Sequence, residues 1–327
     1  MTWLITGGAG YIGAHVVRAL LEDGKRVVVL DDLSTGSADR LPAEVPLVTG
    51  STLDGALVES AMREHGVTGV LHIAAKKQVG ESVEQPLRYY HENVEGLRVV
   101  LAAAAATGVK SFLLSSSAAV YGMPDVELVT EETPCVPMSP YGETKRVGEW
   151  LVAATGRAHG MGTVSLRYFN VAGAATAELG DPAILNLVPM VFERLTKGQQ
   201  PLVFGDDYPT PDGTCIRDYI HVADVASAHA AAVRRLESEG GEKTELVLNI
   251  GRGEGVSVRG ILDVIGEVTG RDASGEVVAR RPGDPARIVA SAEAISKELG
   301  WEARYDVREM IGSAWAGWCL RHPEARA

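Results

Sequence analysis

Cysteine is scarce in this chain of 327 residues, and the three present, Cys135, Cys215 and Cys319, are far apart and odd in number. Their spacing fits neither a disulfide framework nor a metal-ligand pattern, so no metal site is expected and a reducing compartment is the simpler reading. A surplus of positive charge is also missing. Lys and Arg together number 31 against 43 Asp and Glu, a formal charge of −12, and no basic run stands out. Nucleic acid and anionic membrane are therefore poor partners, and any anionic ligand must meet a few local cations. No uninterrupted apolar run reaches the roughly 18 residues of a membrane span, and MTWLITGG (1–8) enters an apolar strand without a basic segment or cleavable signal pattern. A soluble, cytoplasmic protein is expected. Internal repeats are absent, and the alanines 102–106 read as a tightly packed helix.

What is present is a rhythm of short apolar, β-branched runs: 2–6, 26–30, 69–73, 111–115, 163–169 and 246–250. Helical patterns such as IGAHVVRALLEDG and NVEGLRVVLAAAAATG lie between the early runs, each closed by a glycine able to cap it. Strand and helix in alternation imply right-handed crossovers and a doubly wound α/β fold around a parallel sheet. After about residue 172 the rhythm gives way to irregular stretches rich in Gly, Pro and Asp, notably 204–218 and 252–257, of the kind that carry ligand contacts. The expected division is a dinucleotide-binding domain over 1–176 and a smaller, mainly substrate-binding domain over 177–327, with segments of about 216–250 returning to the first.

TGGAGYIG (6–13) follows the first strand and opens the first helix. In that context Gly7 permits a tight turn, Gly10 lets the backbone approach a diphosphate at the helix N-terminus, and Gly13 lets the helix sit close on the strand. Asp31 ends the second strand, placed to accept from adenosine ribose hydroxyls and to repel a 2′-phosphate, which favours NAD over NADP.

SPYGETK (139–145) sets Tyr141 and Lys145 on one helical face, joined by Gly148 and Val152, while Val147, Trp150, Leu151 and Ala154 form an apolar stripe opposite. A free phenol is a poor base at neutral pH, but a neighbouring ammonium and an oxidised nicotinamide both favour its phenolate. Such a group can remove a hydroxyl proton as hydride leaves the same carbon. Ser115–Ser117 sit at the carboxyl end of a strand, where ligands bind in open α/β sheets, so a serine there can share the same hydroxyl.

With TGGAGYIG, SSSAAVYG (115–122), SPYGETK, LRYFNVAGA (166–174) and FGDDYPTPDGTCIRDYIHVADVA (204–226), the chain resembles the extended short-chain dehydrogenase/reductases, and among them the 4-epimerases of UDP-sugars, from about residue 3 to 322. The resemblance implies a Rossmann-type fold and a catalytic set of Ser117, Tyr141 and Lys145, with Tyr141 the base and Lys145 holding the nicotinamide ribose. It places NAD against Gly7, Gly10, Tyr11, Ile12 and Gly13, then Asp31, Asp32, Ser51 and Thr52. Further along, Ile73, Ala74, Ala75, Lys77, Asn93, Ser115 and Tyr168 would complete that site. The UDP-sugar would meet Lys77, Ser117, Tyr141, Asn170, Asn186, Leu187, Phe204, Arg217, Arg281, Asp284 and Ile288, the two arginines facing its diphosphate. An acidic protein needs such planar, permanently charged donors there, and Arg280 adjoins Arg281 as an alternative.

The implied chemistry is transient oxidation at C4 to a 4-keto sugar that turns over in the site and takes the hydride back on its other face. Three positions depart from relatives: Ser51 stands where an aspartate is common, AAKKQVG (74–80) reads differently around Lys77 and leaves Lys76 as an alternative contact, and Ile288 occupies a position that gates N-acetylated sugars. Related dehydratases carry an Asp-Glu pair just after the serine, where this chain has Ala118 and Ala119. Epimerases of UDP-glucuronate or UDP-pentose share the C4 chemistry, while regulatory relatives that bind NAD without catalysis commonly lack the tyrosine and lysine. The apolar helix 93–107 and the stripe through Trp150 predict a homodimer through these two helices.

Overall fold

The computed structural model describes residues 1–238, 240–281 and 283–326. Its first half alternates Thr2–Thr6 (β1), Tyr11–Glu22 (α1), Arg26–Asp31 (β2), Leu47–Thr49 (β3), Gly55–Glu64 (α2) and Gly69–His72 (β4). There follow Val79–Glu84 (α3), Pro86–Tyr89 (α4), Gly96–Thr107 (α5), Ser111–Ser117 (β5), Pro140–His159 (α6), Gly162–Tyr168 (β6) and Asn170–Ala172 (β7). The remainder comprises Leu187–Thr196 (α7), Leu202–Phe204 (β8), Ile216–His221 (β9), Val222–Glu237 (α8), Glu245–Ile250 (β10) and Gly255–Ser257 (β11). Val258–Thr269 (α9), Glu276–Val278 (β12), Arg287–Ile288 (β13), Glu293–Leu299 (α10) and Val307–Arg321 (α11) complete it.

Seven strands form one parallel sheet in the order β10-β6-β5-β4-β1-β2-β3. Both faces are covered, as a sheet of apolar runs requires. Strand alternation sorts the core: Trp3, Ile5, Val27 and Val29 join α1, α8 and α10 on one face, while Leu4, Val28 and Leu30 join α2, α5 and α6 on the other. The strand order reverses direction between β1 and β4, and that switch point opens a crevice at the strands' carboxyl ends. β10 takes the edge beside β6 although 70-odd residues of other structure separate them, roughly the reach of a long crossover.

A second layer lies beyond those carboxyl ends. β9 pairs antiparallel with β11 and parallel with β13 and β7, β8 pairs with β12, and α7, α9 and α11 pack over them around Val191, Phe192, Ile261, Met310 and Trp318. The helix expected over 93–107 needs one correction. Residues Tyr90–Glu95 form a wider π-helical turn, and the regular helix starts at Gly96. The turn lets Asn93 point at the backbone of Lys76, a use of π-bulges common near functional sites.

Candidate active site

The turn from β1 to α1 is a cradle shaped by glycine. Gly7 has φ +72°, and a Cβ there would meet the backbone N of Ala74 at 2.7 Å; at Gly13 it would meet the carbonyl O of Gly7 at 2.1 Å. Only backbone without side chains fits so close a turn. Gly10 N-caps α1, whose first turn carries no acidic residue, so its free N–H groups and positive dipole end face the crevice unopposed. Asp31 accepts from the N–H of Ala9 at 2.9 Å and of Leu33 at 2.9 Å. Burial pushes its carboxyl up from the usual range, with those two donors pulling the other way.

The crevice has a cavity volume of about 230 Å³. Of the residues singled out for the cofactor, it brings together Gly7, Gly10, Tyr11, Ile12, Gly13, Asp31, Asp32, Ser51, Thr52, Ile73, Ala74, Ala75, Lys77, Tyr141, Lys145 and Tyr168. Lys76 lines it too. Asn93 stands behind the wall: its carboxamide accepts from the N–H of Lys76 at 2.7 Å, and donates to the Lys76 carbonyl at 3.0 Å and to Thr144 Oγ1 at 3.0 Å. Ser115 lies beneath, its carbonyl accepting from Lys145 Nζ at 2.8 Å and its hydroxyl 3.2 Å from His229 Nε2.

α6 delivers the reactive pair. Ser139 caps it through the N–H of Gly142 at 3.2 Å and Pro140 occupies its first turn, which fixes where Tyr141 and Lys145 emerge. Gly142 and Gly148 allow α6 close to the residues around it: a Cβ would meet the carbonyl of Ala119 at 2.5 Å in one case and Leu97 at 3.1 Å in the other. Lys145 Nζ sits 5.9 Å from the centre of the Tyr141 ring. Burial pushes the Tyr141 phenol up and the neighbouring Ser117 hydroxyl pulls it down. Burial lowers Lys145 to about 8, against the opposing charge of Glu149.

Beyond Tyr141 and Lys145 lie the other candidates. Asn170, Arg217 and Ile288 occupy neighbouring strands of the second layer, with Ile288 in register with Arg217. Arg217 donates to Asp284 at 3.1 Å, and Ile288 is buried against Val120, Tyr121 and Phe169. Arg281 lies over the ring of Phe204 at 3.7 Å, whereas Arg280 stacks on Tyr208 and is paired with Asp207 at 2.5 Å. Among the described residues Arg281 makes no ion pair, which makes it the freer of the two cations. Asn186 caps α7, just before Leu187, and donates to Asp181 at 3.2 Å.

The crevice also has a wall that sequence reasoning missed: Asp181, Pro182, Ala183 and Leu185, opposite Ser34 and Thr35. The Gly-Asp-Pro sequence at 180–182, a loop signal, was the available cue. No group of His, Cys, Asp and Glu that could hold a metal ion exists among the described residues.

A family model described as the NAD dependent epimerase/dehydratase family matches residues 3–251. The chain belongs to this family. It is 43% identical to the UDP-glucose 4-epimerase of Azospirillum brasilense, over 96% of this chain and 91% of the relative, and 42% identical to that of Corynebacterium glutamicum, over 97% and 95%. The crystal structure of a UDP-glucose-4-epimerase from Stenotrophomonas maltophila, with bound NAD and formylated UDP-arabinopyranose, superposes with a TM-score of 0.93 at 38% identity, covering 99% of each chain. The fold is thus that of the extended short-chain dehydrogenase/reductase epimerases, with a Rossmann-type sheet.

Proposed function

We propose that this chain interconverts UDP-galactose and UDP-glucose by transient oxidation at C4, with NAD as its cofactor. The observation that carries the reading is one crevice with the glycine cradle and Asp31 at one end and Tyr141 beside Lys145 at the other, with the Ser117 hydroxyl next to the Tyr141 phenol. The cradle and the acid fit a dinucleotide without a 2′-phosphate. Bound NAD supplies a hydride acceptor that later returns the hydride, so no net oxidation results.

Tyr141 takes the proton of the C4 hydroxyl as the C4–H bond breaks and C4–O becomes a carbonyl, and gives the proton back when hydride returns to the other face. Ser117 holds the same oxygen. The ammonium of Lys145 favours the phenolate and would hold the nicotinamide ribose. Arg217 and Arg281 neutralise the diphosphate, while Asn170, Asn186, Leu187, Phe204 and Asp284 complete the nucleotide pocket and Ile288 bounds the hexose. Firm hold on UDP with loose hold on the hexose permits the 4-keto ring to turn. Ala118 and Ala119 offer no acid beside Ser117 for eliminating water.

Residues 1–176, with α8 and β10 (222–250) returning, form the cofactor domain, and the rest of 177–327 the substrate domain; β9, at 216–221, was expected to return too but lies in the second layer. A second copy of the chain covers α5 and α6: Trp150 is 58% exposed there and Leu87, on α4 beside α6, is 84% exposed. No helix among the described residues is long and apolar enough to cross a membrane, and the three free cysteines suit a reducing cytoplasm.

The test is to incubate the purified protein, without added NAD, with UDP-galactose, UDP-N-acetylgalactosamine, UDP-glucuronate and UDP-xylose separately, and to resolve the epimers. UDP-glucose should form from UDP-galactose. Exclusive turnover of another sugar would displace the reading.

A further inference from the structure

The two rims of the cofactor crevice are tied to each other by one side chain that does not line it. Arg40 follows the loop after β2 whose Ser34 and Thr35 form one rim. Its guanidinium crosses to the other rim and donates to the carbonyls of Leu179, at 2.8 Å, and Gly180, at 3.2 Å. The next residues, Asp181, Pro182, Ala183 and Leu185, are the wall of the crevice.

Both ends of this tie are anchored. On the Arg40 side, the Arg40 carbonyl accepts from Arg18 of α1 at 3.1 Å, and the N–H of Ser37 donates to the carbonyl of Ala9 in the glycine turn at 3.1 Å. On the other side, Arg321 at the end of α11 donates to the Asp181 carbonyl at 2.5 Å, and Gly180 lies so close to Gly317 that an added Cβ would come within 3.1 Å of its Cα. Nε of Arg40, Nε of Arg18 and Nη1 of Arg321 are buried without a protein partner. A tie with unmet donors is a latch that opens more readily than a fully bonded one.

We propose that Arg40 latches the segment 179–185 across the crevice and thereby sets how fast the dinucleotide enters and leaves. The inference rests on the cofactor reading above. Because the latch bonds protein to protein and does not touch the crevice, opening it lowers the barrier in both directions. A residue that bound the nucleotide itself would act on release alone.

The test compares the full-length protein with Arg40→Met, which keeps most of the apolar stem, and Arg40→Lys, which keeps the charge but cannot fork to two carbonyls. Release is followed with bound labelled NAD in excess unlabelled NAD, and uptake with nucleotide-stripped protein. Both rates should rise by about a hundredfold or more in Arg40→Met, the order expected for losing two hydrogen bonds from a charged donor, and by a smaller factor in Arg40→Lys. Their ratio, the dissociation constant, should stay within about twofold, because the latch is equally absent from both states. Unchanged rates in a folded variant overturn the latch, as does faster release with unchanged uptake. A wild-type protein that neither retains nor takes up NAD overturns the cofactor reading, and the latch with it.

Discussion

Glu149 and Arg167 face each other fork to fork in the core, Arg167 Nε and Nη2 donating to the two carboxylate oxygens at 2.7 and 2.6 Å, with both side chains 2% exposed. Glu149 follows Lys145 by one turn of α6, and its carboxylate also accepts from Ser116, next to Ser117, at 2.6 Å, and from Arg146 at 2.8 Å. Arg167 donates to Tyr121, which donates to Asn249. Burial alone would raise the Glu149 carboxyl, but these donors hold it below the usual range. The pair thus locks the helix carrying Tyr141 and Lys145 to the strand carrying Ser117.

Removing one partner should cost more than removing both, because a lone buried charge is left behind. Glu149→Gln is expected to lower stability by about 3 kcal/mol, and Glu149→Met with Arg167→Met by less than the sum of the single changes. Urea unfolding of the singles and the double checks this. Additive losses would mean that the two side chains act independently.

Tyr141→Phe should lower kcat by about a thousandfold while bound NAD content is kept, and Ser117→Ala by about tenfold, since only a shared hydrogen bond is lost. Lys145→Met removes the positive charge near the phenol. Tyr141 then ionises at higher pH, so the rising limb of kcat/KM against pH should move alkaline by about one unit or more. A limb that stays in place would remove Lys145 from the tuning of Tyr141.

The glycine cradle and Asp31 were legible in the sequence because their chemistry is local: a turn, a helix N-terminus and a strand end lie within one βαβ unit. Tyr141 and Lys145 were legible for the same reason, being one helical turn apart. Other contacts depend on distant packing. Arg167 sits in an apolar strand pattern that gave no sign of a buried partner on α6. The wall at 181–185 reaches the crevice only because α11, from the chain's far end, backs it. Asn93 was expected against the cofactor, and its amide is instead spent on Lys76 and Thr144, a partner choice that the wider turn at Tyr90–Glu95 creates and no residue spacing displays.

Trp150 stands on the outer face of α6 with the Arg146 guanidinium 5.1 Å from its ring centre. In the proposed dimer this indole is covered by the second copy. Trp150→Glu would put an unpaired carboxylate into that contact, so sedimentation at micromolar concentration should show a dimer for the wild type and a monomer for the variant. A variant that remains dimeric would move the interface elsewhere.

Acid should unfold the protein through its buried histidines. Burial lowers His15, His221 and His229 to about 4 and His72 to about 3, below the 6.5 of an exposed imidazole. The unfolded chain therefore binds more protons than the folded one between about pH 4 and 6.5, and stability present above 6.5 is lost as pH falls through that window. At pH 5 each histidine costs about 2 kcal/mol relative to pH 7. Asp218 works in the opposite sense: burial raises it to about 6, so its protonation in the folded state returns about 1 kcal/mol. The histidines outnumber it, and the net slope is a loss. His229 sits between the Val225 carbonyl and the Ser115 hydroxyl, 2.8 and 3.2 Å away, with no exposed surface. His229→Gln should lower stability at pH 7 yet lose about 2 kcal/mol less than the wild type between pH 7 and 5, measured by urea unfolding at both values. Parallel losses in the two proteins would show that His229 does not titrate on unfolding.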